Sequence, residues 1–164
     1  LSNVADEGSV VALITPKQFA GSHPLASGFM GDISPAEAWD ILQHQENAVL
    51  VDVRTPAEWM FVGEPDISAL NKDLVRIPWR LYPSFMVNPD FMEMFISAQI
   101  PQDAPVLFIC RSGGRSTDAA LAVAQQGWSL CYNVEGGFEG EPDANGHRGT
   151  QSGWKYAGLH WGQK

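Results

Sequence analysis

Residues 105–116 read Pro105-Val106-Leu107-Phe108-Ile109-Cys110-Arg111-Ser112-Gly113-Gly114-Arg115-Ser116, and this stretch decides the fold. The apolar run Pro105 to Ile109 fits a strand covered on both faces, the kind found in parallel sheets. Cys110 to Arg115 is a polar, glycine-bearing loop. From Ser116 to Gln126 the residues are helix formers, with Ala119, Ala120, Val123 and Ala124 spaced as one buried face and Gly127 as the terminating cap. A buried strand handing over to a helix is the repeating unit of a sheet wrapped by helices.

The same alternation continues outward. Upstream, Ala48 to Val53 is a second continuous β-branched run, ending at Asp52 and Arg54. Thr55-Pro56-Ala57-Glu58 then opens a short helix with a capping box, and Ser34-Pro35-Ala36-Glu37 opens an earlier one, with Ala38, Ile41 and Leu42 as its apolar stripe. Val75 and Ile77 predict a short strand before Pro78, and Asn88-Pro89-Asp90 starts a helix carrying Phe91, Met94, Phe95 and Ala98. Downstream, Leu130 to Val134 predicts a last buried strand, stopped by Glu135-Gly136-Gly137. The fold class is therefore α/β, a mostly parallel central sheet flanked by helices. In such folds ligands bind beyond the carboxyl ends of the strands, where Asp52-Val53-Arg54 and Cys110 both fall.

A chain of 164 residues fits one domain with irregular extensions. The expected division is an extension over 1–32, with a short strand at Val10 to Ile14, a main α/β domain over 33–140, and an irregular tail over 141–164 anchored by Trp154 and Trp161. With 10 Lys+Arg against 19 Asp+Glu, the net charge of −9 disfavours nucleic acid and anionic membrane as partners. An acidic protein that binds an anion needs a local cationic pocket. Cys110 and Cys131 are the two cysteines, and they read as reduced thiols of a cytoplasmic protein rather than a disulfide framework. No apolar stretch approaches the roughly 20 residues of a membrane span, and Leu1 to Gly8 lacks the features of a signal peptide.

Arg111 and Arg115 flank Cys110 with no acid among them, so the loop is positive in a negative protein. Thiolates are favoured beside arginines and helix N-termini. Gly113 and Gly114 let successive N–H groups converge on one point, an anion-binding nest in which Ser112 and Ser116 add hydroxyls. Ser116 is expected chiefly as a cap for the following helix. Cys110 is thus the candidate nucleophile, and Arg111, Ser112, Gly113, Gly114, Arg115 and Ser116 its candidate binding loop.

The loop resembles the Cys-x-x-Gly-x-Arg-Ser active loop of rhodanese-type sulfurtransferases. The resemblance runs over roughly residues 33 to 140 and includes Leu50-Val51-Asp52-Val53-Arg54 with Pro56 and Glu58, and Asn133-Val134-Glu135-Gly136-Gly137-Phe138. Gly153-Trp154 to Gly158-Leu159 also resembles a common family ending. The resemblance implies a rhodanese-like three-layer fold and a transferase that carries sulfur as a Cys110 persulfide. The implied donor is a small sulfane compound such as thiosulfate, and the acceptor is cyanide or a thiol, with an acceptor protein as a further partner. No metal or organic cofactor is implied. Asp52 and Arg54 would brace the loop through ion pairs with its arginines. The family's Gly-His-Ile run is missing, replaced by a longer connection from Val62-Gly63-Glu64-Pro65 to Ile77-Pro78, which bears on acceptor choice.

Other motifs read as structure. Cys131 alternates with apolar neighbours and reads as an inert core thiol. His23, His44, His147 and His160 lack ligand spacing. Glu141 to Gly146 resembles the start of a calcium loop, but its twelfth position is Ser152, so an Asx-type turn is expected. Glu58 reads as a capping-box residue. Two rival functions share the loop. Cys-based phosphatases place five residues between Cys and Arg, whereas Cys110 and Arg115 enclose four; a sulfur carrier or redox sensor would keep the fold without turnover.

Overall fold

The computed structural model describes residues 27–164; the strand expected at Val10 to Ile14 lies outside the described residues. Strand β1 (Phe29–Ile33) leads into helix α1 (Pro35–His44). The helix starts where the sequence predicts because Ser34 Oγ accepts from the Glu37 amide while Glu37 returns a carboxylate to the Ser34 amide, 2.7 Å away. Strand β2 (Val49–Asp52) is followed by helix α2 (Pro56–Phe61), opened by the same reciprocal box between Thr55 and Glu58. A short strand β3 (Glu64–Pro65), a 3-10 turn (Ser68–Leu70) and strand β4 (Val75–Arg76) complete the long connection. Next come a hairpin of β5 (Arg80–Leu81) and β6 (Met86–Val87), helix α3 (Phe91–Ser97), strand β7 (Pro105–Ile109), helix α4 (Gly114–Gln125) and strand β8 (Leu130–Val134). Strand β9 (Trp161–Gly162) ends the tail.

The central sheet has the order β1-β8-β7-β2-β4, and every neighbouring pair is parallel. Side chains of a strand alternate between faces, and both faces are covered. Val51, Val53, Val106, Phe108, Cys110 and Cys131 turn toward Phe91 and Phe95 of α3 and Ala119, Ala120 and Val123 of α4. Leu50, Leu107, Ile109 and Tyr132 turn toward Ala38, Ile41 and Leu42 of α1. Each fully buried Leu, Ile, Val or Phe contributes roughly 1.5–3 kcal/mol. This two-sided burial is why the strands read as unbroken apolar runs.

Three features differ from the sequence reading. Strand β1 begins at Phe29, inside the expected extension, and pairs with β8 as the sheet's edge. The hairpin β5-β6 was not anticipated, because two-residue strands carry too little pattern to read. The tail is tied down by more than tryptophan anchors: β9 pairs antiparallel with β3. Trp154 is fully buried, and its Nε1 donates to the His160 carbonyl at 2.8 Å. Within the tail, Asp143 accepts from the amides of Asn145 and His147 and from Thr150 Oγ1, closing an Asx-type turn.

Candidate active site

Strand β7 delivers Cys110 to the carboxyl end of the sheet, and α4 starts four residues later at Gly114. Gly113, at φ +123°, makes the reversal between them, a conformation that a side chain would strain. Its amide donates to Cys110 Sγ at 3.1 Å. Gly114 is already helical, so one glycine rather than two makes the turn.

Ser116 does not cap the helix. Gly113 occupies that position, which places Ser116 in the first turn with its buried hydroxyl turned back over the loop. Ser116 Oγ lies 3.1 Å from Cys110 Sγ and 2.6 Å from Asn133 Oδ1. The Asn133 amide nitrogen donates to Asp32 Oδ1 at 2.9 Å. Cys110 itself is 1% exposed.

The turn after β8 clamps the back of the loop. The Phe138 amide donates to the Cys110 carbonyl at 2.7 Å, and the Glu139 and Gly140 amides share the Arg111 carbonyl at 3.0 and 3.2 Å. This contact requires glycine at 137, since a Cβ there would come within 2.5 Å of the Cys110 and Arg111 carbonyl oxygens.

Arg115 Nη1 and Nη2 hold the two carboxylate oxygens of Glu58 at 2.8 and 3.0 Å. Both side chains are largely buried. Burial alone would raise the Glu58 pKa, but the Arg115 hydrogen bond and charge, helped by Thr55, hold the carboxyl below its ordinary range. For Arg115, burial opposes the charge and Glu58 outweighs it, so its pKa is raised. The guanidinium also lies over the Phe85 ring, 5.2 Å from its centroid.

Asp52 and Arg54 are fully buried and pair with each other, not with the loop arginines. Arg54 Nη2 reaches Asp52 Oδ2 at 2.7 Å and the Gly63 carbonyl at 2.8 Å, and its guanidinium covers the Phe138 ring at 4.4 Å. The expected ion pairs between these two residues and the loop arginines are not formed among the described residues. Two residues apart on one strand end, Asp52 and Arg54 pair with each other, Arg54 Nη1 has no hydrogen-bond partner among the described residues, and the contact toward the loop runs through the Phe138 ring.

A cleft of about 500 Å³ opens beside the loop, lined by Glu58, Val62, Tyr82, Phe85, Arg111, Arg115 and Glu139. Arg111 is exposed there, Ser112 is half-buried, and Tyr82 and Phe85 project from the hairpin. Cys110, 1% exposed, is not among the lining residues. Cys131 is walled into the core, where burial pushes its thiol up to about 12. Among the described residues no group of three or more His, Cys, Asp and Glu is arranged to hold a metal ion, and no helix is long and apolar enough to cross a membrane.

Three contributors escaped the sequence reading. Glu58 was visible only as a capping residue, although capping uses Oε1 and leaves both oxygens open to Arg115. Asn133 carried a signal, a polar side chain inside an apolar strand, but not its partner. The aromatic pair Tyr82 and Phe85 depends on an unforeseen hairpin.

Comparison with known proteins places this geometry in context. The family model described as "Rhodanese-like domain" matches residues 34–140. An uncharacterized protein of Rickettsia conorii is 38% identical over 133 residues, covering 79% of this chain and 95% of its own. The thiosulfate sulfurtransferase GlpE of Actinobacillus succinogenes is 33% identical over 128 residues, covering 78% of this chain and 86% of its own. The crystal structure of Rv0390 from M. tuberculosis aligns with a TM-score of 0.76 at 45% identity, covering 83% of this chain and 99% of that one.

Proposed function

The chain belongs to the rhodanese-like domain family, and we propose that it is a sulfurtransferase that carries sulfane sulfur as a persulfide on Cys110. One observation carries the reading: Cys110 Sγ lies where β7 meets α4, 3.1 Å from both the Gly113 amide and the Ser116 hydroxyl. A sulfur surrounded by donors at a helix N-terminus is built to hold negative charge.

In the first half-reaction the Cys110 thiolate attacks the sulfane sulfur of a donor such as thiosulfate. The donor's S–S bond breaks, sulfite departs with the electron pair, and the new Cys110 S–S bond leaves the charge on the outer sulfur. In the second, cyanide or a thiolate attacks that outer sulfur, and Cys110 leaves as thiolate. Covalent storage divides one transfer into two easier steps. Among the described residues Arg111, exposed on the cleft, has no carboxylate partner, whereas Arg115 is engaged by Glu58, so Arg111 is the loop guanidinium open to an incoming anion. That engagement also disfavours the phosphatase reading, which needs the loop arginine on the phosphate. The low exposure of Cys110 suits a donor that presents a slim terminal sulfur.

Mass spectrometry after thiosulfate treatment tests the proposal. A gain of about 32 Da, one sulfur atom, is expected on the native chain and not on Cys110→Ala. Thiosulfate:cyanide transfer should fall by roughly a thousandfold or more in that variant. Aryl phosphate hydrolysis exceeding sulfur transfer would overturn the reading, and persulfide formation without repeated turnover would replace the enzyme with a carrier.

A further inference from the structure

Ser116 has one hydroxyl proton and two acceptors within reach, Cys110 Sγ at 3.1 Å and Asn133 Oδ1 at 2.6 Å. It can satisfy one of them at a time. The orientation of the Asn133 amide is fixed from behind. A carboxylate accepts and does not donate, so Asp32, 2.9 Å away, takes the amide N–H and leaves Oδ1 facing Ser116. The two residues meet because Asp32 and Asn133 are register partners at the ends of β1 and β8.

We propose that Asn133, held by Asp32, is a positioning residue that acts on Cys110 through the Ser116 hydroxyl and favours the states in which the inner sulfur is uncharged. When Cys110 is a thiol, its S–H donates to Ser116 and Ser116 donates to Asn133. When Cys110 is a thiolate, Ser116 turns its proton to sulfur and Asn133 Oδ1, in a residue only 4% exposed, loses that partner. When sulfur is stored as a persulfide, the charge moves to the outer atom and the proton returns to Asn133. The chain of contacts thus offsets part of the stabilisation that the Gly113 amide and the helix N-terminus give the thiolate, and supports the loaded form. This inference rests on Cys110 being the nucleophile.

Two single variants should shift the sulfur in opposite directions, which a purely structural role would not do. Thiolate ultraviolet absorbance and the rate of Cys110 alkylation by iodoacetamide are the readouts. Asn133→Ala leaves the Ser116 proton on sulfur, so alkylation should quicken by roughly fivefold. Ser116→Ala removes the donor and should slow it by roughly tenfold, with Ser116→Thr restoring it. The double variant should match Ser116→Ala, because the hydrogen-bonded route from Asn133 to the sulfur runs through the Ser116 hydroxyl. Asp32→Ala, a change at a half-buried position, frees the amide to flip and should act like Asn133→Ala even if the latter fails to fold. The charged groups around the loop other than Asp32, namely Arg115, Glu58, Asp52, Arg111 and Glu139, are the same throughout. Asn133→Ala and Ser116→Ala moving the same way, no change in either Asn133→Ala or Asp32→Ala, or a double variant slower than Ser116→Ala would overturn the proposal. Alkylation does not require sulfur transfer, so absence of a thiosulfate-derived persulfide would sink the proposed function and leave this test standing.

Discussion

The cleft has two unlike walls. On one side the Cys110 loop is held from every direction: by the Phe138, Glu139 and Gly140 amides behind, by Ser116 and Gly113 on the sulfur, and by Glu58 on Arg115. On the other side the hairpin β5-β6 forms its own two-stranded sheet, apart from the central one, and exposes Tyr82, Phe85, Met86 and Val87. The rigid wall suits sulfur chemistry, which tolerates little displacement of a nucleophile. The exposed wall can differ in shape and apolar character without disturbing that geometry. On the proposed function, chemistry and acceptor choice would fall to separable parts of the molecule, and each of the following outcomes tests that separation.

The largest effect is expected at the clamp. Gly137→Ala places a Cβ within 2.5 Å of the Cys110 and Arg111 carbonyls, at φ +61°, where neither backbone can yield easily. Destabilisation of about 2–4 kcal/mol is expected in urea unfolding, together with loss of persulfide loading. Gly114→Ala is the control: a Cβ there meets nothing within 4 Å, so stability should stay within about 0.5 kcal/mol. Equal tolerance of both changes would show that the loop is not held as tightly as this contrast requires.

The same contrast explains what could be read from the sequence. The rigid wall is written in local signals: an apolar strand, Cys110, a glycine that must reverse the chain, and two capping boxes that reappear with their partners in place. Contacts between distant segments were not legible. Glu58 meets Arg115 across 57 positions, and Asn133 meets Asp32 across 101. Local pattern cannot choose between Arg54 and Arg115 as the partner of Asp52, and the geometry chose Arg54. The hairpin was invisible because its strands are two residues each, shorter than any periodicity can reveal.

An intermediate effect is expected at the Glu58–Arg115 pair, whose guanidinium also lies over Phe85 of the opposite wall. Glu58→Gln leaves Arg115 largely buried without its carboxylate, costing roughly 1–3 kcal/mol at neutral pH. The pH dependence has a definite sign. The carboxyl of Glu58 is held below the usual 4.5, so the pair's contribution is fully present above that value and is lost as pH falls through the lowered pKa of the folded state. The stability gap between the native chain and Glu58→Gln should therefore be constant near neutrality and close in acid. A gap that widens on acidification would contradict the assigned pairing.

The smallest change in stability, and the sharpest separation of the two walls, is expected at Phe85. This residue adopts φ +59°, a left-handed conformation that disfavours a bulky side chain, while 40% of its surface remains exposed. Its carbonyl accepts from Arg80 Nη1 at 2.8 Å, and Arg115 lies over its ring, so the conformation is held by contacts that face the cleft. A strained residue kept at a binding surface points to a role in what binds there. Phe85→Gly relieves the strain, roughly 1 kcal/mol, but gives up the larger part of the ring surface, which is buried, so the two effects oppose each other. Stability should fall by no more than about 1 kcal/mol, and persulfide loading from thiosulfate should remain within about twofold, because the loop keeps all its backbone contacts. KM for an apolar thiol acceptor should rise by roughly three- to tenfold, as expected when an aromatic contact is lost from a small-molecule site. If loading fell as far as in Gly137→Ala, the hairpin would belong to the chemical wall and the division between the two would be wrong.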